Sequence, residues 1–68
     1  MQNNLKVWRA KYSFTQQDLA DKIQVSRQTI NAMEKGKYVP STVLALRLAA
    51  IFDTLVTNIF TLEDTDWD

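Results

Sequence analysis

The sequence predicts an all-α domain of five short helices, and three observations carry that expectation. One glycine and one proline in 68 residues leave few strand turns. Apolar residues recur at helical spacing, and strict alternation is absent. Four N-cap signals, at Thr15, Ser26, Ser41 and Thr54, each stand before a helical segment.

The first helix is expected from about Asn4 to Lys11, with Leu5, Trp8 and Tyr12 on one face. The second spans about Gln16 to Ile23. Thr15 caps it, and Asp18 completes a capping-box pair with Asp in place of the usual Glu; Phe14 and Leu19 are spaced as a hydrophobic staple. The third repeats the device, with Ser26 as cap and Val25 spaced to meet Ile30. It ends at Gly36, where a left-handed residue is wanted. Pro40 and Ser41 open a fourth helix at about Thr42, which ends near Phe52 and turns Ala45, Leu48, Ala49 and Phe52 inward. A fifth, capped by Thr54, carries Val56, Ile59 and Phe60. The ends, Met1–Asn3 and 61–68, either pair as a short β-ribbon or fray.

A chain of this length makes one domain, read here as residues 1–68 with a core over 4–60 and an acidic tail over 61–68. Cysteine and histidine are absent, so disulfides and the usual zinc sets are excluded. With no Gly-rich phosphate loop either, no catalytic constellation, cofactor site or small-molecule site is evident. The longest apolar stretch, Val43 to Phe52, is broken by Arg47 and too short to span a bilayer. A cytoplasmic protein without membrane contact is the expectation. Net charge is zero but divided. All eight Lys and Arg lie in residues 1–50 beside only Asp18, Asp21 and Glu34, whereas residues 51–68 hold five acids and no base. This is either a solvated, solubilising tail or a basic face for phosphates with the tail turned away from it.

Residues 15–38 read as two capped helices joined by a tight turn, the second opening with Ser26, Arg27, Gln28, Thr29 and Asn31. That is a helix-turn-helix with a polar face suited to DNA. The sequence resembles the phage-repressor (Cro/cI-like, xenobiotic-response-element) family of regulators over about residues 4–60. The matching residues are Leu5, Arg9, Phe14-Thr15-Gln16, Leu19-Ala20 and residues 25–30, then Glu34 to Tyr38, Pro40-Ser41, Leu44-Ala45-Leu46, Leu48-Ala49 and Ile59-Phe60. It most resembles the small stand-alone members. The resemblance implies a five-helix, lambda-repressor-like domain that binds a palindromic operator on double-stranded DNA as a homodimer, its third helix in the major groove. Two departures stand out. Gln24 occupies a turn position that is often Gly, and Asp53 replaces a common Gly or Asn. A non-Gly residue in left-handed geometry costs roughly 1–2 kcal/mol.

Arg27 and Gln28 are the first candidates for base reading: Arg pairs with guanine O6 and N7, Gln with adenine N6 and N7. Thr29 and Asn31 are candidates for a thymine methyl or a phosphate. Ala32 falls where some relatives place a long base-reading side chain. For phosphate, the candidates are Gln16 and Gln17 at the start of the second helix, Ser26, and Lys35, Lys37 and Tyr38 after the third. The two lysines are equally readable as ordinary surface charges. Ile30 and Met33 read as core. In relatives the positions of Arg9 and Glu34 form a partly buried ion pair. Leu55, Val56, Ile59, Phe60 and Leu62 exceed what a small monomer can bury and are the expected dimer interface. The resulting expectation is a sequence-specific transcriptional repressor. Its rivals are an antitoxin-like interaction module using the C-terminal helix or acidic tail, and a helix-turn-helix kept only as scaffold.

Overall fold

The protein is described over residues 1–68 by a computed structural model. A two-residue strand β1 (Gln2–Asn3) leads into four helices: α1 (Leu5–Lys11), α2 (Gln16–Ile23), α3 (Arg27–Glu34) and α4 (Thr42–Ile51). A 3-10 turn (Val56–Asn58), strand β2 (Phe60–Thr61) and a second 3-10 turn (Asp64–Trp67) follow. The strands pair antiparallel, Gln2 opposite Thr61 and Asn3 opposite Phe60, so the ends form the ribbon rather than fraying.

Caps start the helices as the side chains dictate. Thr15 Oγ1 accepts from the Asp18 N–H at 2.9 Å, and the Asp18 carboxylate accepts from the Thr15 N–H at 2.9 Å. Ser26 accepts from the Thr29 N–H at 3.1 Å and Ser41 from the Leu44 N–H at 3.2 Å. The helix ends are equally regular. Ser13, Gln24, Gly36 and Asp53 have φ of 58°, 63°, 73° and 50°. After each, the next residue donates back across the last turn: Phe14 to Arg9, Val25 to Ala20, Lys37 to Ala32 and Thr54 to Ala49, all at 2.9–3.0 Å. The same left-handed closure is used four times, and only once on glycine; Ser13, Gly36 and Asp53 complete a Schellman motif, while the Gln24 N–H goes to Ala20 instead.

The expected fifth helix is a single 3-10 turn. Leu55, not Thr54, precedes it, and Thr54 Oγ1 instead accepts from Asn58 Nδ2 at 3.0 Å. Val56, Thr57 and Ile59 are β-branched and poor helix formers. The chain then leaves helical geometry because the Ile59 carbonyl accepts from the Asn4 N–H at 3.0 Å and Phe60 pairs with Asn3.

The core takes Leu5 from α1, Leu19, Ala20 and Ile23 from α2, Ile30 and Met33 from α3, Leu48 and Ala49 from α4, and Phe52, Ile59 and Phe60 beyond it. Burying an aliphatic or aromatic side chain of this size contributes about 1.5–3 kcal/mol. Ala20 is fully buried on α2. Three aromatic rings gather on Phe52: Trp8 at 5.9 Å, Tyr12 at 5.4 Å and Phe14 at 6.2 Å. Tyr12 Oη also donates to the Phe52 carbonyl at 2.8 Å, satisfying an end carbonyl of α4.

Candidate nucleic-acid interface

The Ser26 cap and the left-handed Gln24 join α2 to α3, and the first turn of α3 projects its polar residues from the body. Arg27 and Gln28 are exposed, and with the half-buried Asn31 they line one surface depression of about 270 Å³. Thr29, also half-buried, is held at the cap, its hydroxyl 3.0 Å from that of Ser26. Those two hydroxyls satisfy each other first.

Beside that face lies a cleft of about 290 Å³ lined by Lys6, Arg9, Gln16, Asn31, Glu34 and Lys35. Inside it Arg9 grips Glu34 with two bonds, Nε to Oε2 at 2.8 Å and Nη2 to Oε1 at 3.2 Å, while Nη1 donates to the Phe14 carbonyl at 2.9 Å. The Glu34 carboxylate holds the Arg9 guanidinium above its usual range. The side chains are only 15% and 9% exposed, so this is the ion pair that the resemblance implies at these positions. Gln16 Nε2 donates to Glu34 Oε1 at 3.2 Å, and Asn31 Nδ2 lies 3.4 Å from Gln16 Oε1. One polar chain thus ties α1, α2 and α3 together.

At the start of α2, Gln17 is exposed and its Nε2 donates to Asp21 at 2.8 Å. The backbone N–H groups of Gln16 and Gln17 have no partner within the protein, which leaves a helix end fit for an anion. Asp18 sits one residue on, and its carboxyl is held below the usual range by the Thr15 N–H. Lys35, Lys37 and Tyr38 are exposed after α3.

Three side chains that the sequence did not single out belong to this region. Lys6 shares the cleft with Gln16 and Lys35. Asn3 Nδ2 donates to the Met33 carbonyl at 2.8 Å and anchors the end of α3. Arg47 Nη1 donates to the Ile23 carbonyl at 3.2 Å and does the same for α2. None carries a local signature, because each acts on an element distant in sequence.

The expected dimer residues separate into two groups. Ile59 and Phe60 are 1% and 8% exposed and belong to the protomer's own core, a correction to the expectation that they lie on its surface. The ribbon explains it: pairing with Asn3 and Asn4 draws both side chains under the helices. Leu55 and Leu62 are 69% and 58% exposed, and Val56 is half-buried. The acidic segment is also not remote from α3. Glu63 shares a cleft with Lys35 and Gly36 and pairs with the Met1 ammonium at 2.9 Å. No helix is long and apolar enough to cross a membrane.

The helix-turn-helix family matches residues 5–56. Two relatives, uncharacterised HTH-type transcriptional regulators of Methanocaldococcus jannaschii and Bacillus subtilis, are 52% and 41% identical. The alignments cover 97% and 94% of this chain and 100% and 97% of theirs. A solution structure of the SOS-response transcriptional repressor LexA from Eubacterium rectale is similar with a TM-score of 0.76 and 34% identity, over 81% of this chain; the chain spans 58% of that one. The geometry of α2 and α3 and these likenesses agree: the chain belongs to the helix-turn-helix family and is a DNA-binding transcriptional regulator.

Proposed function

We propose that the protein is a repressor that binds a palindromic operator as a homodimer and occludes a promoter. In this reading α3 lies in the major groove. Arg27 and Gln28 read bases, with Asn31 at the edge of their face and Thr29 limited by its cap contact. The α2 N-terminus with Gln16 and Gln17, the Ser26 cap, and Lys35, Lys37 and Tyr38 grip phosphates, joined by Lys6. The single observation that carries the reading is the shared depression formed by Arg27, Gln28 and Asn31 on an exposed helix face. A scaffold has no use for such a face.

The test is selection from a randomised duplex library followed by binding titrations on the selected duplex. Arg27→Ala is expected to cost about 1–3 kcal/mol and to flatten one base pair per half-site. Lys37→Ala is expected to weaken all duplexes alike and to lower the salt slope by about one. Wild-type motif and affinity retained by Arg27→Ala, at unchanged melting temperature, would show the base-reading assignment to be wrong. One observation favours a second reading as a protein-interaction module: Leu62 and Trp67 are exposed within the acidic segment. Trp67→Ala leaving operator binding intact while removing capture of a partner protein would decide for it.

A further inference from the structure

We propose that Glu34 is a positioning residue for base reading: through the Gln16 amide it fixes how Asn31 presents its own amide, so that Asn31 selects adenine over guanine. The inference rests on α3 lying in the major groove, as read above.

A carboxylate only accepts hydrogen bonds. Glu34 Oε1 is met by Arg9 Nη2 and by Gln16 Nε2, each at 3.2 Å. Turned the other way, Gln16 would set its carbonyl against that oxygen with no proton between them. The NH2 end of Gln16 therefore belongs to Glu34, and its Oε1 is left for Asn31, whose Nδ2 lies 3.4 Å away. The same logic sets Asn31: one N–H goes to Gln16. What remains is the acceptor Oδ1 and one N–H. The far end of the chain is anchored, because Arg9 also holds the Phe14 carbonyl at 2.9 Å. An acceptor-only charge at one end thus orients two neutral amides in series.

Asn31 is the residue common to the two depressions, the one it lines with Arg27 and Gln28 and the one it lines with Gln16 and Glu34. It stands four residues from Arg27, on the same face of α3. In the major groove adenine presents an N6 donor beside the N7 acceptor, which fits an Oδ1 and one N–H. Guanine presents two acceptors, O6 and N7, and Oδ1 against O6 is a clash of lone pairs. Were the relay cut, the Asn31 amide could turn over and offer donors to guanine.

The experiment uses the full chain and a randomised duplex library, then duplexes differing only in adenine or guanine at one position. That position is the one whose preference Asn31→Ala flattens. Wild type is expected to prefer adenine there by about tenfold or more. Glu34→Gln replaces the carboxylate with an amide that can donate, and should bring the two affinities within about threefold of each other. That variant also loses the charge partner of Arg9, so Gln16→Met is the second arm. It keeps the Arg9–Glu34 pair, cuts the relay, lowers affinity for every duplex, and should lose the same discrimination. The ratio of two affinities on one preparation is insensitive to the folded fraction, so a merely structural role would leave it unmoved. An adenine preference that survives Gln16→Met overturns the relay. An Asn31→Ala motif identical to wild type overturns the role of Asn31. If Arg27→Ala also leaves the motif unchanged, the reading of α3 as base-reading helix fails first.

Discussion

At the scale of single residues, the informative positions are the helix ends. Ser13, Gln24 and Asp53 hold a left-handed conformation that glycine enters without steric cost. Asp tolerates that region better than Gln, so Gln24 carries the larger strain. Gln24→Gly removes roughly 1–2 kcal/mol of strain and gives back about 0.5–1 kcal/mol through the freer unfolded chain. Taken at the middle of both ranges, the net expectation is a gain of about 0.75 kcal/mol, a rise in Tm of about 3–6 °C for a domain of this size. An unchanged or lower melting temperature counts against it. Asp18 makes a second prediction. Its carboxyl lies below the usual range because it accepts from the Thr15 N–H. A lowered folded-state pKa adds stability above the unfolded value, about pH 4, and that stability drains away as pH falls through the folded value. Asp18→Asn should therefore show a shallower loss of stability than wild type between about pH 5 and pH 2. Parallel acid-denaturation curves for the two proteins would refute the assignment.

Among the elements, the join between α1 and α4 depends on Phe52. Trp8, Tyr12 and Phe14 all pack on its ring, and its carbonyl takes the Tyr12 hydroxyl. Phe52→Ala removes the central ring and leaves a cavity, at a cost of about 3–5 kcal/mol. A domain of this length has a total stability on the order of 3–10 kcal/mol, so the variant should lose about a third of that stability or more, and Phe52→Leu clearly less. Urea titrations placing Phe52→Ala within 1 kcal/mol of wild type would show that the cluster is peripheral. The other join, of α1 with α3, is ionic. Removing Glu34 would leave the Arg9 guanidinium half-buried and unpaired, and losing one partner of a buried pair costs about 3–5 kcal/mol.

The whole molecule poses the question of assembly. Val43, Leu46, Leu55 and Leu62 are exposed on α4 and beyond, and exposed apolar residues that gather into one patch mark an interface. A two-fold dimer through the C-terminal side would set two α3 helices about 34 Å apart, one turn of B-DNA, with half-site centres about 10–10.5 base pairs apart. Because Ile59 is core, a charge there would unfold the protomer and say nothing of assembly. Leu55 is the proper probe. Leu55→Asp should keep a cooperative melt, sediment as a 7.9 kDa monomer and lose cooperative operator binding. Wild type sedimenting as a monomer at tens of micromolar, with tight operator binding intact, would exclude the dimer.

What the sequence by itself determined was local. Thr15, Ser26 and Ser41 start their helices and Gly36 ends one because each rule needs only a few neighbouring residues. The inward residues of α3 and α4 followed from spacing, and the Ser26 cap placed Arg27 and Gln28 in the first turn of α3. Of the three left-handed helix ends that are not glycine, the resemblance flags Gln24 and Asp53 as standing where Gly is common, whereas Ser13 shows itself only in the backbone geometry. Only the tertiary structure decided the C-terminal third. Val56 to Phe60 carries helical spacing, yet contacts more than fifty residues away, with Asn3 and Asn4, convert it to a turn and a strand. The same distance hid the links from Glu34 through Gln16 to Asn31, and the resemblance implies only the Arg9–Glu34 pair at the far end: the members are spread over three helices, and nothing local to Glu34 or Gln16 points to the next. Capping and periodicity are short-range terms, whereas strand pairing and side-chain relays exist only once the helices have docked.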